Sequence, residues 1–109
     1  MKKSTVLFTN TNATFPATKG AITPAWVETG HCYAVEIVIV NLTADTLTYE
    51  VQVSIDDSAV FENYDTGSVG ANATVRLTYS GAVWKRMKLF GQGGASGSSA
   101  KIAIIGMVG

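Results

Sequence analysis

The sequence has few charged residues, one cysteine and one histidine. Only 15% of its 109 residues are charged, and eight basic residues balance eight acidic ones. Because the net charge is zero, no overall field attracts nucleic acid or an anionic membrane, and we expect neither as a partner. One cysteine excludes an intramolecular disulfide framework and a cysteine-rich zinc site. A surface with so little charge is often partly covered by neighbouring subunits.

Long apolar runs are absent as well. No segment approaches the roughly 18 apolar residues that a membrane span needs. The basic start is followed only by a short apolar patch at residues 6–8, so we expect no cleaved signal peptide. A chain of this length can bury roughly 60–70% of its unfolded surface, which suffices for one core. We therefore expect one domain, residues 1–109, outside the membrane.

The sequence does contain short strand patterns that are separated by turn residues. Residues 32–41 are apolar at odd and even positions, interrupted only by Glu36, which predicts a central strand covered on both faces. Residues 46–55 alternate between apolar and polar side chains, which predicts a strand with one solvated face. The polar corner at residues 42–45 joins the two as a candidate hairpin. The solvated side chains would be Thr48, Glu50, Gln52 and Ser54.

Further strand patterns lie on either side of this pair. A short strand at residues 5–9 is predicted to end in a turn at residues 10–12, and a brief extended piece places Trp26 in the core. Half-buried and apolar strands are predicted at residues 74–79 and 100–108. About eight strands at intervals of roughly ten residues predict an all-β fold, an antiparallel β-sandwich of jelly-roll type.

Two segments fall outside the strand pattern. Residues 13–24 hold both prolines, Pro16 and Pro24, and predict an extended arm or loop that wraps an edge or reaches a partner. Residues 91–99 are rich in Gly and Ser and predict a flexible loop within the domain. Phe15 and Pro16, in the arm, are candidate partner-binding residues.

A second candidate binding surface lies at residues 83–90, for which a strand is favoured over a helix because glycines bracket the segment. If the strand's basic and aromatic face is exposed, it forms a stripe of the kind that binds proteins, sugars or single-stranded nucleic acid. If Trp84 points inward instead, the segment is an ordinary amphipathic strand. The residues of the stripe are Trp84, Arg86, Lys88 and Phe90.

The side chains that most often carry catalysis are few and poorly placed. His31 and Cys32 are neighbours that enter a strand, so their side chains point to opposite faces and form no nucleophile–base pair. The pair Asp56-Asp57 is interpreted as a turn, and its surroundings match no EF-hand loop. The glycines at residues 91–94 lack the Lys-Ser/Thr of a phosphate-binding loop. We expect no enzyme, no metal and no cofactor.

A series of motifs covers the C-terminal half. The strand at residues 51–55 ends in the turn Asp56-Asp57-Ser58, and Phe61 follows shortly after. The strand Trp84-Lys85-Arg86-Met87-Lys88-Leu89 precedes the Gly/Ser-rich loop and a closing strand at residues 101–106. In this order the motifs resemble small β-sandwich virion proteins of tailed bacteriophages, which include head decoration or cement proteins and related head and tail accessory proteins.

The resemblance implies a protein without catalysis that is present in many copies. Its partners would be the major capsid protein or another virion protein, together with further copies of itself in a homo-oligomer. It would be made in the host cytoplasm and lie on the capsid surface of the virion. The residues also permit an alternative, a carbohydrate-binding β-sandwich module. Its stacking platform would come from Trp26, Trp84, Tyr64 or Tyr79.

Overall fold

The computed structural model describes residues 3–23, 25–54, 61–80 and 84–108. Within these ranges the chain forms nine β-strands and no helix, which confirms the all-β prediction. None of the described residues belongs to a helix long and apolar enough to cross a membrane. The strands are β1 (Lys3–Phe15), β2 (Gly20–Ala21), β3 (Val27–Glu28), β4 (Ala34–Asn41), β5 (Leu47–Ser54), β6 (Glu62–Val69), β7 (Thr74–Ser80), β8 (Arg86–Gln92) and β9 (Ser98–Val108).

The strands form two antiparallel sheets. Sheet A has the order β1-β9-β4-β7, and sheet B has the order β2-β8-β5-β6, with β3 also paired to β8. The pairs are nested along the chain, because β1 pairs with β9, β2 and β3 with β8, β4 with β7, and β5 with β6. This long folded hairpin, wrapped into two sheets, is the jelly roll. The predicted sandwich is confirmed, with β2 and β3 sharing one edge position.

The two strands that suggested a hairpin lie in different sheets. β4 pairs with β9 and β7, whereas β5 pairs with β8 and β6. The corner at residues 42–45 therefore carries the chain from sheet A to sheet B, and the hairpin prediction was wrong. A connection of this length can either join two paired strands of one sheet or carry the chain between two sheets. Which of the two occurs depends on the distant strands that pair with β4 and β5.

β4 is a central strand, as predicted, but only one of its faces is fully covered. Its inward side chains, Val35, Ile37 and Ile39, are 0% exposed. The outward side chains Val38 and Val40 are half-buried. They belong to the outer surface of sheet A, and the prediction of two covered faces holds for the inner face alone.

β5 follows the predicted alternation almost throughout. Thr48 is exposed, and Glu50 and Gln52 are half-buried. Ser54 differs from the prediction because it is 3% exposed; Arg86 lies opposite it in the register with β8. The side chains that β5 buries between the sheets are those of Leu47, Tyr49, Val51 and Val53. Residue 55, predicted as the end of this strand, lies outside the described residues.

β1 continues through the residues that suggested a turn. Its register with β9 shifts between Asn10 and Ala13, so residues 10–12 form a β-bulge rather than a turn. After the bulge Ala13 and Phe15 reach the core, where they are 3% and 0% exposed. The start of the predicted arm is therefore the buried end of an edge strand.

The rest of the predicted arm crosses from sheet A to sheet B. The carbonyl of Pro16 accepts a hydrogen bond from the Gly93 amide at 2.8 Å. Gly20–Ala21 pairs with β8 as β2, and Thr23, which is 1% exposed, accepts a hydrogen bond from the Leu89 amide at 3.2 Å. Residues 13–23 thus pack against the sandwich, which agrees with the predicted alternative of a segment that wraps an edge. Residue 24 lies outside the described residues.

The predicted Gly/Ser-rich loop is a short, hydrogen-bonded turn. β8 extends to Gln92 and β9 begins at Ser98, which leaves only residues 93–97 between them. The Ser98 hydroxyl donates to Asp45 at 2.9 Å and accepts from the Gly94 amide at 2.9 Å. Gly97 has a φ of 82°, which glycine adopts without strain. The glycines therefore supply a tight turn and not a flexible loop.

Aromatic rings between the sheets lie over glycines. A Cβ atom at Gly91 would lie 2.4 Å from the Phe15 ring, and one at Gly67 would lie 2.3 Å from the Tyr49 hydroxyl. Each glycine therefore leaves the space that a ring of the opposing or neighbouring strand occupies. Phe15 closes the core at the place where the chain leaves sheet A for sheet B.

We expect Phe15→Ala to lower the free energy of unfolding by about 3–5 kcal/mol, because it leaves a cavity over Gly91. Urea denaturation followed by tryptophan fluorescence measures the loss. Leu42→Ala is the control, since Leu42 is 45% exposed, and it should change stability by less than about 1 kcal/mol. Equal losses in the two variants would contradict the position of Phe15.

Asn41 fastens the crossover between the sheets. Its side chain is 2% exposed, and Nδ2 donates to the carbonyls of Asp45 at 2.6 Å and Gly70 at 3.0 Å. Its Oδ1 accepts from both the amide and the hydroxyl of Thr43 at 2.9 Å. One buried amide thus joins the 42–45 corner to the connection between β6 and β7.

Asn41→Asp should destabilise the fold by about 2–4 kcal/mol at neutral pH, because it removes two donors and faces a carboxylate with carbonyl oxygens. The deficit should shrink on acidification, since the protonated carboxyl regains one donor. Urea midpoints measured at several pH values test this. Asn63→Asp, at an exposed position of β6, is the control and should stay near the parent. An Asn41→Asp variant as stable as the parent at neutral pH would contradict this role of the Asn41 amide.

Candidate functional site

The outward face of sheet B carries a cluster of aromatic and cationic side chains. The guanidinium carbon of Arg86 lies 4.3 Å from the centroid of a Trp26 ring, and Lys88 Nζ lies 4.5 Å from the Phe61 centroid. The rings of Trp26 and Phe61 are stacked, with centroids 6.3 Å apart and an interplanar angle of 24°. We call these four residues the sheet B cluster. Each cation–π contact at such a site contributes about 0.5–1 kcal/mol.

Glu28 holds the cluster in place. Its Oε1 accepts hydrogen bonds from Trp26 Nε1 at 3.1 Å and from Arg86 Nε at 3.2 Å. The contact between Glu28 and Arg86 follows from the strand register, because Glu28 of β3 pairs with Arg86 of β8. Trp26 is nevertheless 40% exposed. The cluster therefore presents an indole of fixed orientation at the protein surface.

The structure divides the predicted stripe. Arg86, Lys88 and Phe90 share the outward face of β8 and are half-buried. Trp84 precedes the strand and is 3% exposed. This agrees with the second alternative from the sequence, in which Trp84 points inward. Its ring packs on Tyr64 and Tyr79, with centroids 5.7 and 6.1 Å away. The prediction continued the strand alternation back to Trp84, whereas β8 begins only at Arg86.

The two predicted contact residues of the arm are separated from this face. Phe15 is fully buried and has no surface to offer a partner. Pro16 is half-buried, and its ring packs near Gly20. The predicted partner-binding set is therefore reduced at the surface to Pro16 and to the β8 residues of the outward face.

Sequence reasoning found the sheet B cluster only in part. Trp26 was expected in the core, and at the surface only in the carbohydrate-binding alternative, while Phe61 was used only as part of the phage resemblance. A period of two was present: Val27 and Thr29 are buried, whereas Trp26 and Glu28 are exposed. This signal was short, because β3 contains only two residues.

A shallow pocket of about 300 Å³ opens on the same outward face. Lys19 Nζ lies 3.0 Å from Glu50 Oε1 beside it. Hydrogen bonds from Gln52 and then from Lys19 hold the pKa of Glu50 below its ordinary value. Glu50 is opposite Phe90 in the register of β5 and β8, so the pocket adjoins the predicted stripe. The residues that line it are Lys19, Thr48, Tyr49, Glu50, Thr66, Gly67 and Gly91.

The outward face of sheet A has a different character. Its two central strands present mainly apolar side chains, while β7 on one edge presents exposed Thr and Ser side chains and Arg76. Val6 of the other edge strand is 62% exposed. An apolar centre with a polar rim is the usual anatomy of a protein interface. We call this surface the sheet A face; its apolar residues are Val6, Val38, Val40, Ala103, Ile105 and Met107.

The groups considered for catalysis are separated by burial. Cys32 is 5% exposed, and burial raises the pKa of its thiol, whereas His31 is exposed. The Tyr79 hydroxyl donates to Asp65 at 2.8 Å, and burial, followed by this hydrogen bond, raises the pKa of Tyr79. Among the described residues, no three His, Cys, Asp or Glu side chains are grouped to hold a metal ion. Residues 56 and 57, which were predicted to form an acidic turn, lie outside the described part.

Neither a protein-family model nor a curated protein sequence matches the chain. Similarity is found among solved structures. A chain of the Bacillus endospore appendages, which form a novel family of disulfide-linked pili, superposes with a TM-score of 0.60 at 9% identity, covering 99% of this chain and 86% of that chain. PirA superposes with a TM-score of 0.61 at 13% identity, covering 91% and 92%. At these identities the similarity shows a shared fold.

Proposed function

We propose that this chain is a non-enzymatic structural subunit of a repeating assembly, and specifically a decoration or cement protein that binds and stabilises the head lattice of a tailed bacteriophage. The observation that carries the proposal is the sheet A face. Its centre is apolar, and Val6 on it is 62% exposed. A contiguous apolar surface with a polar rim marks an interaction site on a soluble protein.

The fold and the sequence resemblance support the same role from two directions. A chain of similar fold belongs to the Bacillus endospore appendages, which form disulfide-linked pili. The motifs of the C-terminal half resemble those of phage virion proteins, which is why we propose a phage head as the lattice. A low charge content agrees with a surface that other subunits cover.

The mode of linkage would differ from that of disulfide-linked pili. The chain has one cysteine, and one thiol joins at most two copies, which does not extend a polymer. Cys32 is also 5% exposed. The proposed assembly therefore depends on non-covalent contacts between β-sandwich faces, edges and turns.

Co-sedimentation with purified phage heads stripped of accessory proteins tests the proposal. The protein should pellet with heads at a saturable ratio and raise the temperature at which they release DNA. Val38→Lys should weaken binding at least tenfold, because it places a charge in the apolar centre. Thr48→Lys, on the outward face of sheet B, should bind like the parent. A protein that stays in the supernatant and is strictly monomeric would contradict the assembly role.

The sheet B cluster favours carbohydrate binding as a second candidate function. The exposed Trp26 indole could stack on a sugar ring, and the shallow pocket beside Glu50 lies on the same face. Trp84 is 3% exposed and packs on Tyr64 and Tyr79, whereas Tyr64 is 50% exposed. The exposed candidates for the stacking platform are therefore Trp26, with Phe61 beside it, and Tyr64.

A glycan array followed by calorimetry with the best soluble oligosaccharide tests this second function. Trp26→Ala should abolish the binding, because it removes the stacking surface. Tyr33→Ala is the control, since Tyr33 is a similarly exposed aromatic residue at 41%, and it should leave the affinity unchanged. No signal on a broad array would exclude the carbohydrate function.

A further inference from the structure

We infer that the sheet A face binds the same face of a second copy of this chain, in a symmetric dimer whose two-fold axis crosses β9 and β4. The inference rests on the proposed assembly role and names the partner of the face. The register of the strands fixes how the outward side chains of this face are arranged.

The outward side chains of β9 and β4 form four rows across the sheet. Direct partners in an antiparallel register point to the same side. Along the strands, the rows are Met107 with Ala34, Ile105 with Glu36, Ala103 with Val38, and Lys101 with Val40.

The edge strand β7 extends these rows with polar side chains. Thr78 lies opposite Glu36, and Arg76 lies opposite Val38. Arg76 Nη1 lies 3.3 Å from Glu36 Oε1 within the subunit, and the arginine side chain remains 66% exposed. The face therefore contains both an acid and a base at the border of its apolar centre.

A two-fold axis between the second and third rows makes the face complementary to itself. It places Ile105 opposite Ala103 of the second copy, and Val40 opposite Ala34 of the second copy. A large side chain then meets a small one at these two positions, as interdigitating layers between packed sheets require, while Met107 lies opposite Lys101 and Glu36 lies opposite Val38. The same rotation brings Arg76 of each copy beside Glu36 of the other, which compensates the charge that the contact would cover.

Charge and area also favour a second copy over a different partner. The chain has no net charge, so two copies do not repel each other, and the mixed charges of the face match themselves better than a partner of one sign. Four strands spaced about 4.8 Å apart and four rows about 7 Å apart give roughly 500 Å² per copy, or about 1,000 Å² in total. This is the low end of specific interfaces and predicts a weak dimer that many contacts in a lattice would reinforce.

Sedimentation equilibrium of the full chain, without phage heads, tests the inference. The parent should show a monomer–dimer equilibrium between about 1 µM and 1 mM. Ala103→Lys should raise the dissociation constant at least tenfold, while Ser68→Lys, at an exposed position of β6, should leave it unchanged. A parent that is monomeric throughout, or a dimer that Ala103→Lys does not weaken, overturns the inference.

Charge reversal tests the symmetry of the contact. Glu36→Arg alone and Arg76→Glu alone should each lose self-association about tenfold, because like charges then meet across the axis. Mixing the two variants should restore a 1:1 heterodimer, since each arginine pair faces a glutamate pair. A mixture that remains as monomeric as its components overturns the proposed register.

The head-binding assay separates this inference from the proposed function. Suppose that the parent binds heads, that Val38→Lys does not bind heads, and that neither protein dimerises. The sheet A face then binds the shell itself, so the dimer is wrong and the proposed function stands. If the parent dimerises as described but ignores heads, the dimer stands and the phage role is wrong.

Discussion

The burial of one apolar face from each sheet is the interaction on which the rest of this structure depends. β4 contributes Val35, Ile37 and Ile39, and β5 contributes the facing row that includes Leu47 and Val51, all of them 0% exposed. The rings of Phe15 and Tyr49 fill the space over glycines of the opposite or adjacent strand. Because these inner faces are buried between the two sheets, the two outer faces are the surfaces that can contact other molecules.

The outer faces differ in chemistry although both belong to one jelly roll. Sheet B presents Arg86 and Lys88 over aromatic rings, with Glu28 bonded to Arg86 and Trp26 and a shallow pocket on the same face. Sheet A presents a mainly apolar centre that includes the Glu36 side chain, paired with Arg76 of the edge strand. An assembly protein needs at least one surface that favours protein over water, and the sheet A face has that composition. The sheet B cluster has the arrangement of a stacking site, which is why a sugar ligand is retained as the second candidate.

Predictions from pattern succeeded where a segment was long and periodic. The alternation of residues 47–53 and the two-sheet architecture follow from the sequence, because a strand with one apolar face has to bury it. Predictions failed where glycine or asparagine was taken as an independent signal. Residues 10–12 form a bulge, and the 93–97 glycines form a hydrogen-bonded turn. In each case a distant strand supplied hydrogen bonds that outweighed the local preference.

The sequence by itself determined that this protein is an all-β sandwich with little charge and with few residues suited to catalysis. Only the tertiary structure decided which strands share a sheet, and therefore which side chains share a surface. Trp26 and Arg86, and Glu36 and Arg76, are far apart in the chain and adjacent across β-sheet registers. Period two tells which side of a strand a residue occupies, but the neighbour across the sheet is set by long-range pairing, and it is these neighbours that form the candidate binding faces.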